Sequence, residues 1–350
     1  MKKINHLHGG RLYSEILAEG LVYIEDRMKG RVKSFKTPWA GLNRAGVGGL
    51  EWGSMITVGA RPGSGKTLIV SQILRESRAI NATQDFNILE FQFEMGAKQV
   101  SARDFVAKTA LDYNKVLSTD AQLDDYYFQM MKQYQQDCKD LEDKNILRVQ
   151  VNTALTHADI KNAIIHYYSE LGGKPMIVTI DHSWLIKKGK DEKEKIATLY
   201  NAVEMLMQLK NQLPIIVVMI TQLNRTIEEP SRRTPGSIAN YPTSSDIFGG
   251  DALMQGSDMV VVLSRPATLN IGVYGPKGYI VKSDDIFMHL IKVRNGADDV
   301  NILYMKAEFK NQRMLEVSEP AASNPTGAGF VRRSQRTNSA SCDIDVSDIK

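Results

Sequence analysis

Gly63, Gly65, Lys66 and Thr67 close the stretch "VGARPGSGKT" (58–67), and together they have the chemistry of a phosphate cradle. The glycines let the backbone turn so that successive N–H groups aim inward, and a helix starting near Lys66 adds positive potential at its N-terminus. Lys66 would then reach the β- and γ-phosphates of a nucleotide, and the Thr67 hydroxyl would bind Mg²⁺. Arg61, Pro62 and Ser64 complete the candidate binding loop. The pattern G-x-x-x-x-G-K-[ST] departs only at its first position, where Ala60 stands, so the cradle-forming positions are intact. The bland alternative is a glycine-rich turn with an incidental lysine. A strand before the loop and a helix after it argue against that.

Hydrolysis needs more than binding: a carboxylate that orients the metal, a group that polarises the attacking water, and a sensor of the γ-phosphate. Asp181 ends the apolar run "MIVTID" and is the candidate for the first. Glu94, after "FNILEFQF", is the candidate for the second, on a strand expected beside the phosphate-loop strand. Gln222, closing "IIVVMITQ", is the candidate for the third. Each also reads as an ordinary polar residue at a strand end.

Four apolar runs rich in β-branched residues predict the strands that would carry these groups: 55–60, 86–93, 175–181 and 214–222. Helical patterns separate them, among them "LIVSQILRESRAI" after Thr67 and "DEKEKIATLYNAVEMLMQLKNQL", which has clear 3.6 periodicity. Alternating strands and helices imply an α/β fold with a mainly parallel sheet flanked by helices. Runs at 258–264, 286–293 and 301–309 predict further strands, the last two an antiparallel hairpin closed by an Asn295-Gly296 turn. Residues 11–29 predict an amphipathic helix with Leu12, Ile16, Tyr23 and Ile24 on its apolar face and Gly20 weakening its middle. The expected organisation is a linker helix and linker (1–34), one large domain (35–317), and a Ser-, Pro-, Gly- and Arg-rich tail (318–350) too polar to fold.

A length of 350 residues with 43% hydrophobic side chains can bury a sizeable core, and a net charge of +4 is too mild to demand a polyanionic partner. Two distant cysteines, Cys138 and Cys342, and six histidines without ligand spacing speak against a disulfide framework or a zinc site. The start "MKKINHLHGG" has no apolar h-region, and the run "LPIIVVMI" is too short to cross a bilayer. A soluble protein without membrane contact is expected, in a bacterial cytoplasm or, for a viral protein, that of its host.

Taken in order, the motifs resemble the RecA-like motor domain of the DnaB-type replicative helicases. "GARPGSGKT" is similar to that family's phosphate loop, "FEMGAKQ" to its Glu-Met-x-x-x-Gln signature, "TIDHSWL" to its second acidic motif and "TQLNR" to its Ser-Gln-Leu-Asn-Arg. "SDIFGGDALMQGSD" (245–258) aligns with its single-strand-binding loop, and "KVRNG" resembles its Lys-Gln-Arg-Asn-Gly hairpin. The matches run from about Phe35 to Glu316. The resemblance implies a RecA-like P-loop NTPase core that uses ATP and Mg²⁺, with Lys66, Glu94 and Gln222 in catalysis and Thr67 and Asp181 at the metal. It also implies that Lys292 and Arg294 act on a neighbouring subunit's nucleotide. Phe248, Gly249, Gly250 and Asp251 fall on the DNA loop, where backbone N–H groups could bind phosphates whatever the side chain. Arg232 and Arg233, in the polar segment after Gln222, are added candidates for phosphate contact, with a ligand-free surface loop as their alternative. Phe248 stands where the family usually has Arg, Met254 where it usually has Glu, and His182 where an aromatic is commoner. The first 34 residues leave no room for the globular domain that precedes the motor in many members.

The implied activity is that of a homohexameric, ATP-driven helicase moving 5′ to 3′ on single-stranded DNA at forks, with a primase and a loader as partners. "GGDAL" also resembles a loop of the strand-exchange proteins of the RecA family, and the same core could serve a nucleotide-gated assembly ATPase without motor output. "FEMGAKQ" and "TQLNR" favour the helicase over strand exchange.

Overall fold

The computed structural model describes residues 11–46, 48–120, 122–190, 192–296 and 301–323. Its centre is strand β1 (Met55–Ala60), every residue of which is buried. In chain order there follow α3 (Lys66–Ile80), β2 (Asn87–Gln92), α4 (Ala97–Thr109), α5 (Tyr113–Leu117), α6 (Asp125–Glu142), β3 (Arg148–Val151), α7 (His157–Glu170) and β4 (Met176–Asp181). Then come α8 (Lys195–Gln212), β5 (Ile215–Gln222), α9 (Gly250–Gly256), β6 (Met259–Ser264), the short pair β7 (Val273–Tyr274) and β8 (Tyr279–Ile280), β9 (Asp285–Val293), β10 (Ile302–Glu308) and β11 (Arg313–Val317). Ahead of β1 lie α1 (Tyr13–Met28) and α2 (Ala40–Ala45).

Nine strands form one sheet in the order β11-β10-β9-β6-β1-β5-β4-β2-β3. From β6 to β3 all neighbours run parallel, and β9, β10 and β11 extend the β6 edge with antiparallel pairs. The α/β expectation therefore holds, with an antiparallel C-terminal part. The central strands are apolar along their whole length because both faces are covered. Leu68, Ile69, Ile73 and Leu74 of α3 pack on one face with Trp39 and Leu42, while Ile160, Ile164, Leu199, Val203 and Leu206 of α7 and α8 pack on the other. Helix starts follow local chemistry: Thr156 and Asp159 cap α7 reciprocally, and the Asp124 carboxylate accepts from the Tyr126 N–H at 2.8 Å at the start of α6.

Several expectations need correction. β2 is not beside β1, because β5 and β4 lie between them. Four strands go unread in the sequence: the two-residue pair β7 and β8; β3, "RVQV", an edge strand that is only half-buried; and β11, "RMLEV", of which Met314 alone is buried. The register of β9 and β10, with Ile302 opposite His289, is centred between Asn295 and Gly296 as expected of the hairpin, whose residues 297–300 lie outside the described residues. Gly296 has a further use: a Cβ there would lie 1.8 Å from the Ala45 carbonyl oxygen, so only glycine allows this close approach to α2. In α3, Gln72, a polar residue, turns inward to accept the Met314 N–H at 2.7 Å. The chain stays packed past 317, since Glu319 accepts from the Tyr279 hydroxyl at 2.6 Å and Ala322 bridges to Tyr279. The remainder of the expected tail, with Cys342, lies outside the described residues.

α1 has no buried residue. Leu12, Ile16, Leu17, Leu21, Val22 and Ile24 are all exposed, so the helix adds nothing to this chain's core. No helix among the described residues is long and apolar enough to cross a membrane.

Candidate active site

β1, β5, β4 and β2 run in the same direction, so their C-terminal ends share one edge of the sheet. The loop after β1 turns there through Gly63 (φ 76°) and Gly65 (φ 88°), left-handed conformations that favour glycine. Gly65 caps α3, whose first-turn N–H groups open towards the cradle. Lys66 is buried, with its Nζ 3.9 Å from the Glu94 carboxylate. Glu94 gets there without a strand next to β1. The Phe93 N–H donates to the Asp181 carbonyl at 2.6 Å, which bends the chain after β2 across the end of β4.

Asp181 closes β4 as a buried carboxylate. Its Oδ2 accepts from the Thr67 hydroxyl and from Gln92 Nε2, each at 3.3 Å, and its Oδ1 is buried with no hydrogen-bond partner among the described residues. Burial pushes the carboxyl up from its ordinary pKa; Glu94 adds to the rise, and Gln92, Lys66 and Thr67 oppose it. A bare, buried carboxylate oxygen beside a threonine hydroxyl fits a hard cation, which prefers oxygen ligands. Thr67 and Asp181 are thus the residues that would hold Mg²⁺. Among the described residues no group of three or more acidic, His or Cys side chains could bind a metal alone, so water and phosphate oxygens would complete its shell.

Gln222 pairs in register with Ala60, which puts its side chain at the mouth of the cradle. His182 Nε2 is 3.4 Å from Gln222 Oε1, while His182 Nδ1 accepts the Trp184 N–H at 3.2 Å. Burial, with the Lys66 charge, lowers the His182 pKa, so the ring is neutral and its one proton sits on Nε2. The histidine therefore donates to Gln222 Oε1 and leaves the amide NH₂ to point elsewhere.

The loop after Gln222 closes on itself. Leu223 bridges to Ile247, and the Phe248 N–H donates to the Gln222 carbonyl at 3.1 Å. Arg232 is its internal post: the guanidinium grips both oxygens of buried Asp246 at 2.9 Å and donates to the carbonyls of Ala239 and Tyr241. This corrects the expectation of Arg232 as a phosphate contact, because its donors are spent inside the loop. Arg233 is exposed. Gly249, Gly250 and Asp251 form the first turn of α9 on the same edge, with Gly249 left-handed at φ 66°.

Arg61 turns its side chain away from the cradle to bond Glu228 Oε1 at 2.6 Å and the Leu223 carbonyl at 3.0 Å, which ties the phosphate loop to the loop after Gln222. Arg265 braces the cradle from outside, donating to the Gly63 carbonyl at 3.1 Å. Sequence reasoning missed Gln92, Arg61's link to Glu228, and Arg265. Only Gln92 leaves a signal, a polar side chain at an inward position of an apolar strand.

Lys292 and Arg294 are at the other edge. Arg294 bonds Asp258 Oδ1 at 3.0 Å and the Gln255 carbonyl at 3.3 Å, and Lys292 Nζ bonds the Met254 carbonyl. Both dock on the C-terminal carbonyls of α9, a favourable place for cations. Asp258 is level with Met55, five residues below Ala60, so these cations lie roughly 16 Å along the strands from the phosphate loop. They cannot reach this chain's own cradle.

The family model for the DnaB-like helicase C terminal domain matches residues 35–313. The replicative DNA helicase DnaB of Haemophilus influenzae is 26% identical over 222 residues, covering 63% of this chain and 44% of that protein. The DnaB of Helicobacter pylori is 25% identical over 313 residues, covering 86% and 56%. The chain thus spans about half the length of the curated relatives it matches. In fold it is similar to a solved ATPase domain, with a TM-score of 0.69 at 16% identity, covering 86% of this chain and 99% of that one. A DnaB-like replicative helicase whose structure is described with its primase interactions gives a TM-score of 0.68 at 16% identity, covering 88% and 67%. The fold is RecA-like.

Replacing Asp181 by Asn tests its role through stability as well as activity. A raised carboxyl pKa means that the ionised form disfavours the folded state, so without Mg²⁺ the variant is expected to be as stable as the parent or more so at pH 8. That advantage should disappear as pH falls through the raised pKa and the parent takes up its proton. Urea midpoints at the two pH values measure it. A large loss of stability at pH 8 would instead make Asp181 a structural group.

Proposed function

The chain belongs to the DnaB-like helicase C-terminal domain family, and from that premise we propose that it is the motor of an ATP-driven replicative DNA helicase. In this reading residues 35–317 form the motor, which encircles single-stranded DNA as a homohexamer, moves 5′ to 3′ and unwinds duplex at forks. Residues 1–34 link neighbouring subunits, and a primase and a loader are its partners.

One observation carries the proposal: the cradle and the Lys292–Arg294 pair lie on opposite edges of one sheet. A site that needs both is complete only when copies meet head to tail, and such contacts close into rings when the rotation allows. In that arrangement Lys66 and the α3 N-terminus hold the β- and γ-phosphates, and Thr67 and Asp181 hold Mg²⁺, which would neutralise charge on them. Glu94, exposed at the open side of the cradle, orients the attacking water. The neighbour's Arg294 meets the charge that develops on the transferred phosphoryl group. Gln222 senses the γ-phosphate and hands its loss to the loop that ends at Phe248. Arg233 and the backbone N–H groups of Gly249, Gly250 and Asp251 contact DNA phosphates without reading sequence. The exposed apolar side chains of α1 gain a place against the adjacent subunit.

Unwinding of a forked substrate with ATP is the direct test, with Lys66→Ala as the inactive control. Pairing of homologous strands instead would indicate a strand-exchange protein, and hydrolysis with neither would indicate a non-motor ATPase. Arg294→Ala should lower turnover on the order of a thousandfold while leaving nucleotide binding within about twofold of the parent. Equal loss of both would remove its role in trans. Deleting residues 1–34 should lower the mass seen by light scattering.

A further inference from the structure

Trp184 and Phe248 form an aromatic pair that the nucleotide chemistry does not use. Their rings meet edge to face, with centroids 4.2 Å apart and planes at 76°. Trp184 follows β4 and is 37% exposed, so part of its indole is open to a ligand. Phe248 follows the loop that closes at Leu223–Ile247. The two rings flank a cleft of about 320 Å³ that Arg61, His182, Gln222 and Arg225 also line. Cations lie on its wall and along the chain that follows Trp184. The Lys195 ammonium is 5.8 Å from the Trp184 ring centroid, and Lys187, Lys188, Lys190 and Lys193 are exposed on the segment between them.

An exposed indole with one ammonium against it and an exposed lysine-rich segment after it suits a ligand that is flat and apolar at one point and anionic beside it. A nucleobase on its phosphodiester strand has that form, and stacking on aromatic side chains serves every base because each has a π-face. In an edge-to-face pair one ring keeps both faces free of its partner. The pair is also wired to the nucleotide site. The Trp184 N–H is held by His182 Nδ1, whose other nitrogen bonds the Gln222 side chain, and the Phe248 N–H is held by the Gln222 carbonyl. Movement of Gln222 therefore reaches both rings through one hydrogen bond or two.

We propose that Trp184 and Phe248 form a stacking step for one base of the single strand, with Lys187, Lys188, Lys190 and Lys193 on the adjacent phosphates. The proposal rests on the helicase reading and deepens it: each subunit grips the strand by a base as well as by its backbone, and the grip is tied to the sensor glutamine.

The test uses the full chain with Mg²⁺ and a non-hydrolysable ATP analogue, and two probes: a labelled oligothymidylate and an abasic oligonucleotide of the same length. The parent should bind oligothymidylate roughly tenfold or more tightly than the abasic strand. Trp184→Ala should bind both equally, with an unchanged salt dependence, and Trp184→Phe should restore the preference and so show that the fold is intact. A parent that binds both strands equally, or a Trp184→Ala variant that keeps the preference, overturns the base step and leaves the helicase reading standing. A drop in the mass of Trp184→Ala by light scattering overturns it too, since the ring then belongs to a contact between copies. Failure of the parent to bind either strand sinks the helicase reading itself.

Discussion

A carboxylate that is buried with one oxygen bare is expensive to maintain, and the candidate site is arranged around one. Asp181 can stand at the end of β4 only because the Thr67 hydroxyl and Gln92 amide reach its other oxygen and Lys66 lies close enough to oppose the rise in its pKa. Those neighbours come from two different elements, Thr67 and Lys66 from the start of α3 and Gln92 from the end of β2. Their convergence requires the strand order β1-β5-β4-β2 with all four C-terminal ends at one edge. The same order leaves β5 between the cradle and Asp181, and so puts Gln222 beside both. A cation that relieved the bare oxygen would couple its binding to the stability of this edge.

Gln222 is where that edge meets the rest of the molecule. Its backbone is fixed by pairing with Ala60 and by the Phe248 N–H, and its amide is oriented by His182. A second tie runs in parallel, from Arg61 in the phosphate loop to Glu228 and the Leu223 carbonyl. Arg232 clamped on Asp246 makes the segment between them a braced unit. A displacement at the cradle would therefore move the loop as a body rather than be lost in slack chain. Partly buried, hydrogen-bonded guanidinium pairs of this kind hold geometry better than exposed ion pairs do.

Much of this was legible in the sequence, and what was not has physical causes. β1, β4, β5 and β6 are continuous apolar runs because both their faces are covered, and "GSGKT" needs its glycines for left-handed turns; composition alone exposes both. Lateral strand order leaves no mark in periodicity, so β2 was expected next to β1 although two strands separate them. β3 and β11 escaped notice because edge strands carry mixed, half-buried side chains. Arg232 looked like a phosphate ligand because its partner Asp246 is fourteen residues away, at a distance where sequence gives no hint of contact. Asn295-Gly296 reads as a hairpin turn, and the register of β9 and β10 is centred on it; the tight approach of Gly296 to Ala45, a second demand for glycine, leaves no mark in the sequence.

The features that a single chain leaves unsatisfied share one explanation under the proposed ring. α1 shows its apolar side chains to solvent, and an amphipathic helix that contributes nothing to its own core is stable only against another surface. Arg294 is nearly half exposed at the edge away from its own cradle, parked on Asp258 and the end of α9. The cradle meanwhile has its open side at Glu94, which is also about half exposed. In a head-to-tail assembly the open side of one copy would face the far edge of the next, so the half-exposed charge on Arg294 would exchange Asp258, a carboxylate that Lys210 already pairs, for a phosphate in a water-poor site. Coulomb attraction is several times stronger there. The contact that completes the nucleotide site would thus also help to hold the ring together, and its strength would change each time a phosphate is lost.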